Sequence, residues 1–154
     1  MDVPPPIPPR PEDSHKGTFG TVLVFGGQVG APRMMVGAPA FAAAAALRSG
    51  TGLAVLAVPE PILSTALEIT PEATGIGLPV QDDGTIDPSA AAAVLDAHAV
   101  GTGCLVLGPG MGRGEAQQQV VLRLLSRDTC PVVLDADALN ALAELPAFTG
   151  DIHA

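Results

Sequence analysis

Short runs of hydrophobic residues, each closed by glycine, proline or aspartate, recur along the chain. Four clear runs and one weaker segment lie at 21–25, 53–58, 105–107, 132–134 and, for the weaker one, 75–79. The clear runs are continuous rather than alternating, a pattern typical of strands whose two faces are both buried in a parallel sheet. We therefore predict five strands.

The segments that follow these runs predict helices. Their expected starting points are residues 38, 59, 88, 115 and 137. Gly50 should close the first helix, 38–49, as its C-cap. Asp87 and Pro88 should start the third helix as N-cap and first helical position. The fourth helix, 115–127, is amphipathic, as a helix packed on one side is expected to be.

Strands that alternate with helices favour an α/β fold with a mostly parallel sheet flanked by helices. In such folds the loops that bind ligands follow the carboxyl ends of the strands. Three of these ends have an unusual composition: Gly26–Gly27, Gly108–Gly110 and Asp135–Asp137. The candidate chemistry is therefore expected at one edge of the sheet.

The composition restricts the possible functions. The chain has 7 lysines and arginines against 16 aspartates and glutamates, a net charge of -9, so a nucleic-acid partner is not expected. Its 2 cysteines are too few for a disulfide framework. The longest apolar run, 38–47, is shorter than the about 20 residues that cross a bilayer, and no signal peptide is evident. We expect a cytoplasmic protein with no membrane partner.

The first 14 residues are rich in proline and predict an extended segment ahead of a domain over 15–154. Within this segment, 6–10 resembles a polyproline ligand. A tether that lies on the domain is the simpler interpretation of such a stretch.

Glycine and aspartate at the strand ends carry the candidate chemistry. In the loop Gly108–Gly112, proline fixes one φ angle and the glycines should leave N–H groups free of side chains, which suits a flat or anionic ligand. Gly26–Gly27 could approach an anion or simply form a tight turn. Asp135 ends a strand expected to be buried, where a carboxylate is unfavourable unless it faces a site. Asp137 is expected to be an N-cap, with Asn140 in the first turn.

Together these segments resemble a known family. The motifs, in order, are His15-Lys16-Gly17-x-Phe19-Gly20, Gly26-Gly27, Gly37-Ala38, 46–53, Val58-Pro59-Glu60, Gly108–Gly112 and Leu134–Asn140. Each motif is weak alone, but seven in order at strand ends are similar to the ADP-dependent NAD(P)H-hydrate dehydratases, a branch of the ribokinase-like fold. The resemblance extends from Asp13 to Glu144.

The resemblance implies a repair enzyme that restores NADH or NADPH from its hydrate. The co-substrate would be ADP, or ATP in eukaryotic members, with Mg²⁺ as a possible companion ion. The hydrate hydroxyl would be phosphorylated and phosphate then lost, with electrostatic stabilisation dominant. By motif, Ala38 and a glycine of the Gly108–Gly112 loop, Gly112 in preference to Gly110, would contact the NAD(P)H hydrate. Asp135 and Asn140 would line the same cleft, and no metal ligand is assigned.

The family domain continues with a Pro-His-Pro-x-Glu segment, a Lys-Gly loop and a Gly-Thr-Gly-Asp loop with the catalytic aspartate. These second-half segments do not occur in the 154 residues. We therefore expect an apparently truncated domain, its amino-terminal half, inactive alone and paired either with a second copy as a homo-oligomer or with the missing half.

Two further points qualify the resemblance. Met34–Val36 replaces a more usual small or polar loop, a change expected to be tolerated. Two alternatives stay open, a fragment of a ribokinase-like small-molecule kinase and a non-catalytic nucleotide-binding module.

Overall fold

Five parallel strands form the centre of the computed structural model, which describes residues 9–30, 32–98, 101–127 and 130–145. In chain order the strands are β1 (Thr21–Phe25), β2 (Leu53–Pro59), β3 (Thr74–Leu78), β4 (Cys104–Leu107) and β5 (Val132–Leu134). Their spatial order is β3-β2-β1-β4-β5. The predicted third strand is shifted by one residue, because Pro79 has no N–H to donate to a ladder.

Five α-helices connect or follow these strands in the described residues. They are α1 (Gly37–Arg48), α2 (Leu63–Ile69), α3 (Pro88–His98), α4 (Glu115–Leu125) and α5 (Asp137–Ala143). Short 3-10 helices precede β1 at Lys16–Phe19 and α2 at Glu60–Ile62. The predicted α/β class with a parallel sheet flanked by helices is confirmed.

The helix boundaries confirm some predicted caps and correct others. The Asp87 carboxylate accepts the N–H of Ser89 and of Ala90 at 3.0 Å, as expected of an N-cap. At the end of α1 the C-cap is Ser49, and Gly50 follows it with φ 106°. The predicted C-cap is therefore one residue late, because glycine occupies the next position, where the chain turns left-handed. Pro59 belongs to β2 rather than to the next helix.

Alternate residues along the central strands enter two hydrophobic layers, as the pleat requires. Phe25 and Leu107 pack with α3, α4 and α5, and Val24 packs with α1 and α2. Val133 of β5 remains 52% exposed. The expectation that this strand is buried on both faces is wrong, because among the described residues the α1–α2 layer reaches β4 but not β5.

The order in which strands are added to the sheet reverses between β1 and β4, although all strands remain parallel. The chain moves outward from β1 through β2 to β3, and then returns to place β4 and β5 on the other side of β1. Ligands of open α/β sheets bind where the strand order reverses in this way. The two glycine loops that follow β1 and β4 therefore meet at the position where a ligand is expected.

The predicted amino-terminal segment 1–14 lies largely outside the described residues. Arg10 is described, and its guanidinium lies 3.8 Å from the centre of the Phe19 ring and donates to the Gly50 carbonyl at 3.0 Å. In the described part of the chain, no helix has the length and apolar character needed to cross a membrane.

Candidate functional site

The loops after β1 and β4 are joined at the carboxyl edge of the sheet. Gly27 N–H donates to the Pro109 carbonyl and Gly108 N–H donates to the Phe25 carbonyl, both at 3.0 Å. A Cβ on Gly26 would overlap the Pro109 carbonyl oxygen. Glycine is therefore required at position 26 so that the two backbones can approach. The hydrogen bonds hold the two loops together at this edge of the sheet.

Gly108 has a structural role that the motif did not reveal. Its φ is 114°, and a Cβ would overlap the Asp135 carbonyl oxygen and lie 2.7 Å from the Ala138 nitrogen. Both of these neighbours are backbone atoms and cannot rotate away. Gly108 thus allows the end of β4 to pack against the turn between β5 and α5.

Gly110 and Gly112, the predicted substrate contacts, are buried beneath side chains of the β1 loop. A Cβ on Gly110 would overlap the Met35 sulfur, and one on Gly112 would lie 2.8 Å from the Gln28 side-chain carbonyl carbon. The expectation of a loop free of side chains is wrong in this structure. The neighbours are flexible side chains, however, so the space above both glycines can be vacated.

A small hairpin holds these two side chains over the loop. Gln28 and Met35 pair through two backbone hydrogen bonds of 3.0 and 2.9 Å. Met34 is 66% exposed and Met35 is 41% exposed. The substitution at Met34–Val36, which we expected to be neutral, therefore places a large thioether directly on the candidate site. A long hydrophobic side chain beside a glycine motif was the signal that could have shown this.

Ala38 lies in the first turn of α1, half-buried, beside the joined loops. Its neighbour Pro39 packs close to Gly26 and Gly27, where their Cβ atoms would stand 3.2 and 3.5 Å from it. Among the residues that the structure describes, no side-chain hydrogen bond caps this end of α1, whose N-cap is Val36. The structure thus brings Ala38 to the same edge of the sheet as the glycine loop.

Asp137 connects the glycine loop to α5. One carboxylate oxygen accepts the Gly112 N–H at 3.0 Å, and the other accepts the Asn140 side-chain amide at 3.2 Å. The Arg113 side chain lies 3.9 Å from the same carboxylate. Asp137 is the first residue of α5 and Ala136 is its N-cap, so the predicted N-cap role is wrong. Of these two residues, only Asn140 was expected to line the cleft, although a spacing of three places both on one helix face.

Asp135 and Ala136 form the turn before α5. Asp135 is exposed, because β5 is not covered on both faces, so burial gives no reason for its carboxylate to face a site. Its carbonyl accepts the Ala138 N–H at 3.0 Å. Ala136 has φ 42°, a strained value for a residue with a side chain. Strain of about 1–3 kcal/mol is often found at functional sites, and here it lies between the two aspartates.

The donor groups of the described residues are too dispersed to surround a metal ion. In 9–30, 32–98, 101–127 and 130–145, no three His, Cys, Asp or Glu side chains come together as they would around an ion. Asp137 is engaged by Gly112 and Asn140. The described residues therefore do not form a Mg²⁺ site by themselves.

Several known proteins are similar to this chain. Residues 22–152 match a family described as NAD(P)H-hydrate dehydratase. The bifunctional NAD(P)H-hydrate repair enzyme Nnr of Salinibacter ruber is 42% identical over 136 residues, covering 88% of this chain and 24% of the relative. The ADP/ATP-dependent NAD(P)H-hydrate dehydratase of Bacillus subtilis, co-crystallised with ATP and Mg²⁺, has a TM-score of 0.64 and 36% identity, covering 86% of this chain and 42% of that one.

A ribokinase-like superfamily protein of Enterococcus faecalis has the same fold, with a TM-score of 0.72 and 23% identity, covering 90% of this chain and 44% of that one. The chain spans about a quarter of the length of the Salinibacter relative and less than half of the Bacillus chain. The matched region includes both glycine loops and the segment from Asp135 to Asn140. The fold, the order of the motifs and these matches together show that the chain belongs to the NAD(P)H-hydrate dehydratase family.

Proposed function

We propose that this chain forms the substrate-binding part of an ADP-dependent (S)-NAD(P)H-hydrate dehydratase, which restores NADH or NADPH from its hydrate. The observation that carries the proposal is the junction of the β1 and β4 loops at the carboxyl edge of the sheet, where we place the substrate cleft. Ala38 lies at the same edge of the sheet, and the backbone of Gly110 and Gly112 lies beneath the Met35 and Gln28 side chains, which can move. A nucleotide of a family substrate would occupy the space that Met35 and Gln28 fill here.

Each of these residues has a distinct task in the proposal. The Gly112 N–H is already donated to Asp137, so Gly112 serves the ligand by allowing close approach of its Cα rather than through that N–H. Asp137 and Asn140 hold the loop in position from α5. The Met35 side chain would have to move for the nicotinamide part to reach Gly110. Asp135, exposed at the rim, is proposed as a further contact.

ADP would supply the phosphoryl group and Mg²⁺ would neutralise its charge. We place the residues for both, and the catalytic aspartate, outside these 154 residues, in line with the resemblance described above. The exposed edge at β5 is then the surface that pairs with the rest of the domain or with a second copy. We also propose a cytoplasmic location, where nicotinamide coenzymes are used.

Calorimetric titration with NADPH hydrate tests the binding role. Replacement of Ala38 by leucine should weaken binding at least tenfold, since the larger side chain enters the cleft. The matched control is Ala45→Leu, the same change at an exposed position of the same helix, which should bind like the wild type. Equal affinities for both variants would contradict the assignment.

An activity measurement separates binding from catalysis. The 154-residue chain with ADP and NADPH hydrate should produce no NADPH absorbance above the background rate. NADPH produced at an enzymatic rate would show that the catalytic groups lie within this chain. Absence of NADPH-hydrate binding in the calorimetric titration would instead favour a non-catalytic module or a related kinase.

A further inference from the structure

The side chain of Gln28 lies flat over the backbone of Gly112. A Cβ on Gly112 would stand 2.8 Å from the carboxamide carbon of Gln28 and 3.0 Å from both its oxygen and its nitrogen. Because the carbon is nearest and the two polar atoms are equally distant, the face of the amide covers the glycine and its polar edge is directed sideways. The space over Gly112 therefore accommodates a planar group.

The backbone of Gln28 is held in place, whereas its amide can move. Gln28 N–H donates to the Met35 carbonyl at 3.0 Å, and Met35 N–H donates to the Gln28 carbonyl at 2.9 Å. Among the described residues, the hydrogen bonds that the structure shows for Gln28 are these two, both through the main chain. The half-buried side chain also borders an open space of about 440 Å³ beside the start of α4. The amide can therefore turn away from Gly112 while the hairpin stays paired.

The chemistry of the Gln28 amide matches one part of the proposed substrate. A carboxamide presents an acceptor oxygen and an N–H donor along one edge. The nicotinamide ring bears the same group, and two carboxamides that meet edge to edge form two N–H···O bonds, since each donates one and accepts one. In the hydrate, the carboxamide stands on the opposite side of the ring from the hydroxyl that is lost. A residue that holds the carboxamide therefore leaves the reacting atom accessible.

We infer that Gln28 recognises the carboxamide of the nicotinamide ring and makes the cleft specific for nicotinamide nucleotides. This inference rests on the function proposed above. When the ring lies over Gly112, the Gln28 amide moves from the face of the glycine to the edge of the ring and pairs with its carboxamide. The backbone pairing with Met35 keeps Gln28 within reach. A ring without the amide N–H leaves the Gln28 oxygen without a donor, which disfavours its binding.

Calorimetric titration of the full chain with two ligands tests this inference. One ligand is NADPH hydrate, and the other is its acetylpyridine counterpart, in which a methyl group replaces the amide nitrogen. The wild type should bind NADPH hydrate roughly tenfold more tightly, because the acetyl group donates nothing to Gln28. Gln28→Met, with a side chain of similar length and no amide, should bind the two ligands equally. Gln28→Glu should bind both more weakly but keep the preference, since its carboxylate still accepts the amide N–H.

The ratio of the two affinities separates recognition from a structural role. A purely structural effect of Gln28 would weaken both ligands by the same factor and leave their ratio unchanged. The control Gln119→Met makes the same replacement at an exposed position of α4 and should keep the wild-type ratio.

Two results would overturn the inference and leave the proposed function intact. They are equal binding of both ligands by the wild type, and a wild-type ratio in Gln28→Met. A wild-type chain that binds neither ligand would instead contradict the proposed function, and this inference with it.

Discussion

Replacement of Gly108 by alanine should destabilise the fold strongly, whereas the same change at Gly101 should have a small effect. Both glycines have positive φ, 114° and 78°. A Cβ at Gly101 would meet no atom of the described residues within 4 Å, but at Gly108 it would overlap the Asp135 carbonyl oxygen and approach the Ala138 nitrogen. Gly101→Ala therefore measures the cost of a positive φ alone, whereas Gly108→Ala adds the cost of steric overlap with backbone atoms.

The expected magnitudes differ by several kcal/mol. At Gly101 the left-handed conformation disfavours alanine by roughly 1–2 kcal/mol, and the lower entropy of the unfolded chain offsets part of that, which leaves about 1 kcal/mol. At Gly108 the strain of about 1–3 kcal/mol adds to about 1–3 kcal/mol for forcing a backbone junction apart, or about 4 kcal/mol in total. That is a large share of the about 5–15 kcal/mol by which domains are stable.

Urea unfolding followed by far-ultraviolet circular dichroism measures the difference, since the chain has 0 Trp and 0 Tyr for fluorescence. The two variants should differ in midpoint with similar slopes. If Gly108→Ala loses no more free energy of unfolding than Gly101→Ala, then Gly108 is not needed for the end of β4 to pack against the β5–α5 turn. The glycine would then belong to the ligand contacts rather than to the packing of the sheet.

Three further predictions concern other parts of the molecule. Met35→Ala should bind NADPH hydrate several-fold more tightly in calorimetry, because the thioether over Gly110 no longer has to move; unchanged or weaker binding would contradict a movable cover. The hydrogen bond from Arg123 lowers the pKa of Asp96 below its ordinary value of 3.8, so the stabilisation is present above that pH and is lost as the pH falls through the lower folded-state pKa. Asp96→Asn should therefore lower the melting temperature at neutral pH, with a gap to wild type that closes in strong acid, and a gap independent of pH would refute the pairing. Val133→Lys should reduce self-association of the 154-residue chain in size-exclusion chromatography, since charge on an exposed edge strand opposes pairing, and a wild-type chain that is monomeric at high concentration would count against this use of the edge.

The elements of the fold could be predicted because their determinants are local. Continuous hydrophobic runs located β1, β2 and β4, and Asp87 with Pro88 marked the start of α3. The exposure of Val133 was missed because it depends on which helices cover β5. The sequence of a strand does not show which helices pack against it. Boundary errors of one residue, as at Gly50, arise because a glycine that ends a helix can stand beyond the cap rather than at it.

The site was only partly predictable for a related reason. The motif located the glycine loop, but the tasks of its glycines follow from their neighbours in space, backbone atoms at Gly108 and flexible side chains at Gly110 and Gly112. Asp137 was undervalued because its contact with Gly112 joins residues 25 positions apart. Met35 was taken as a harmless substitution, since a loop sequence does not show what it folds over.

The central claim is that the cleft between the β1 and β4 loops binds hydrated nicotinamide nucleotide. An amide-resolved nuclear magnetic resonance titration of the ¹⁵N-labelled chain with NADPH hydrate tests it most directly. The account predicts that the largest saturable shifts occur at the backbone amides of Ala38, Gly110 and Gly112. Saturable shifts confined to residues away from this edge of the sheet, or none at any concentration, would contradict it.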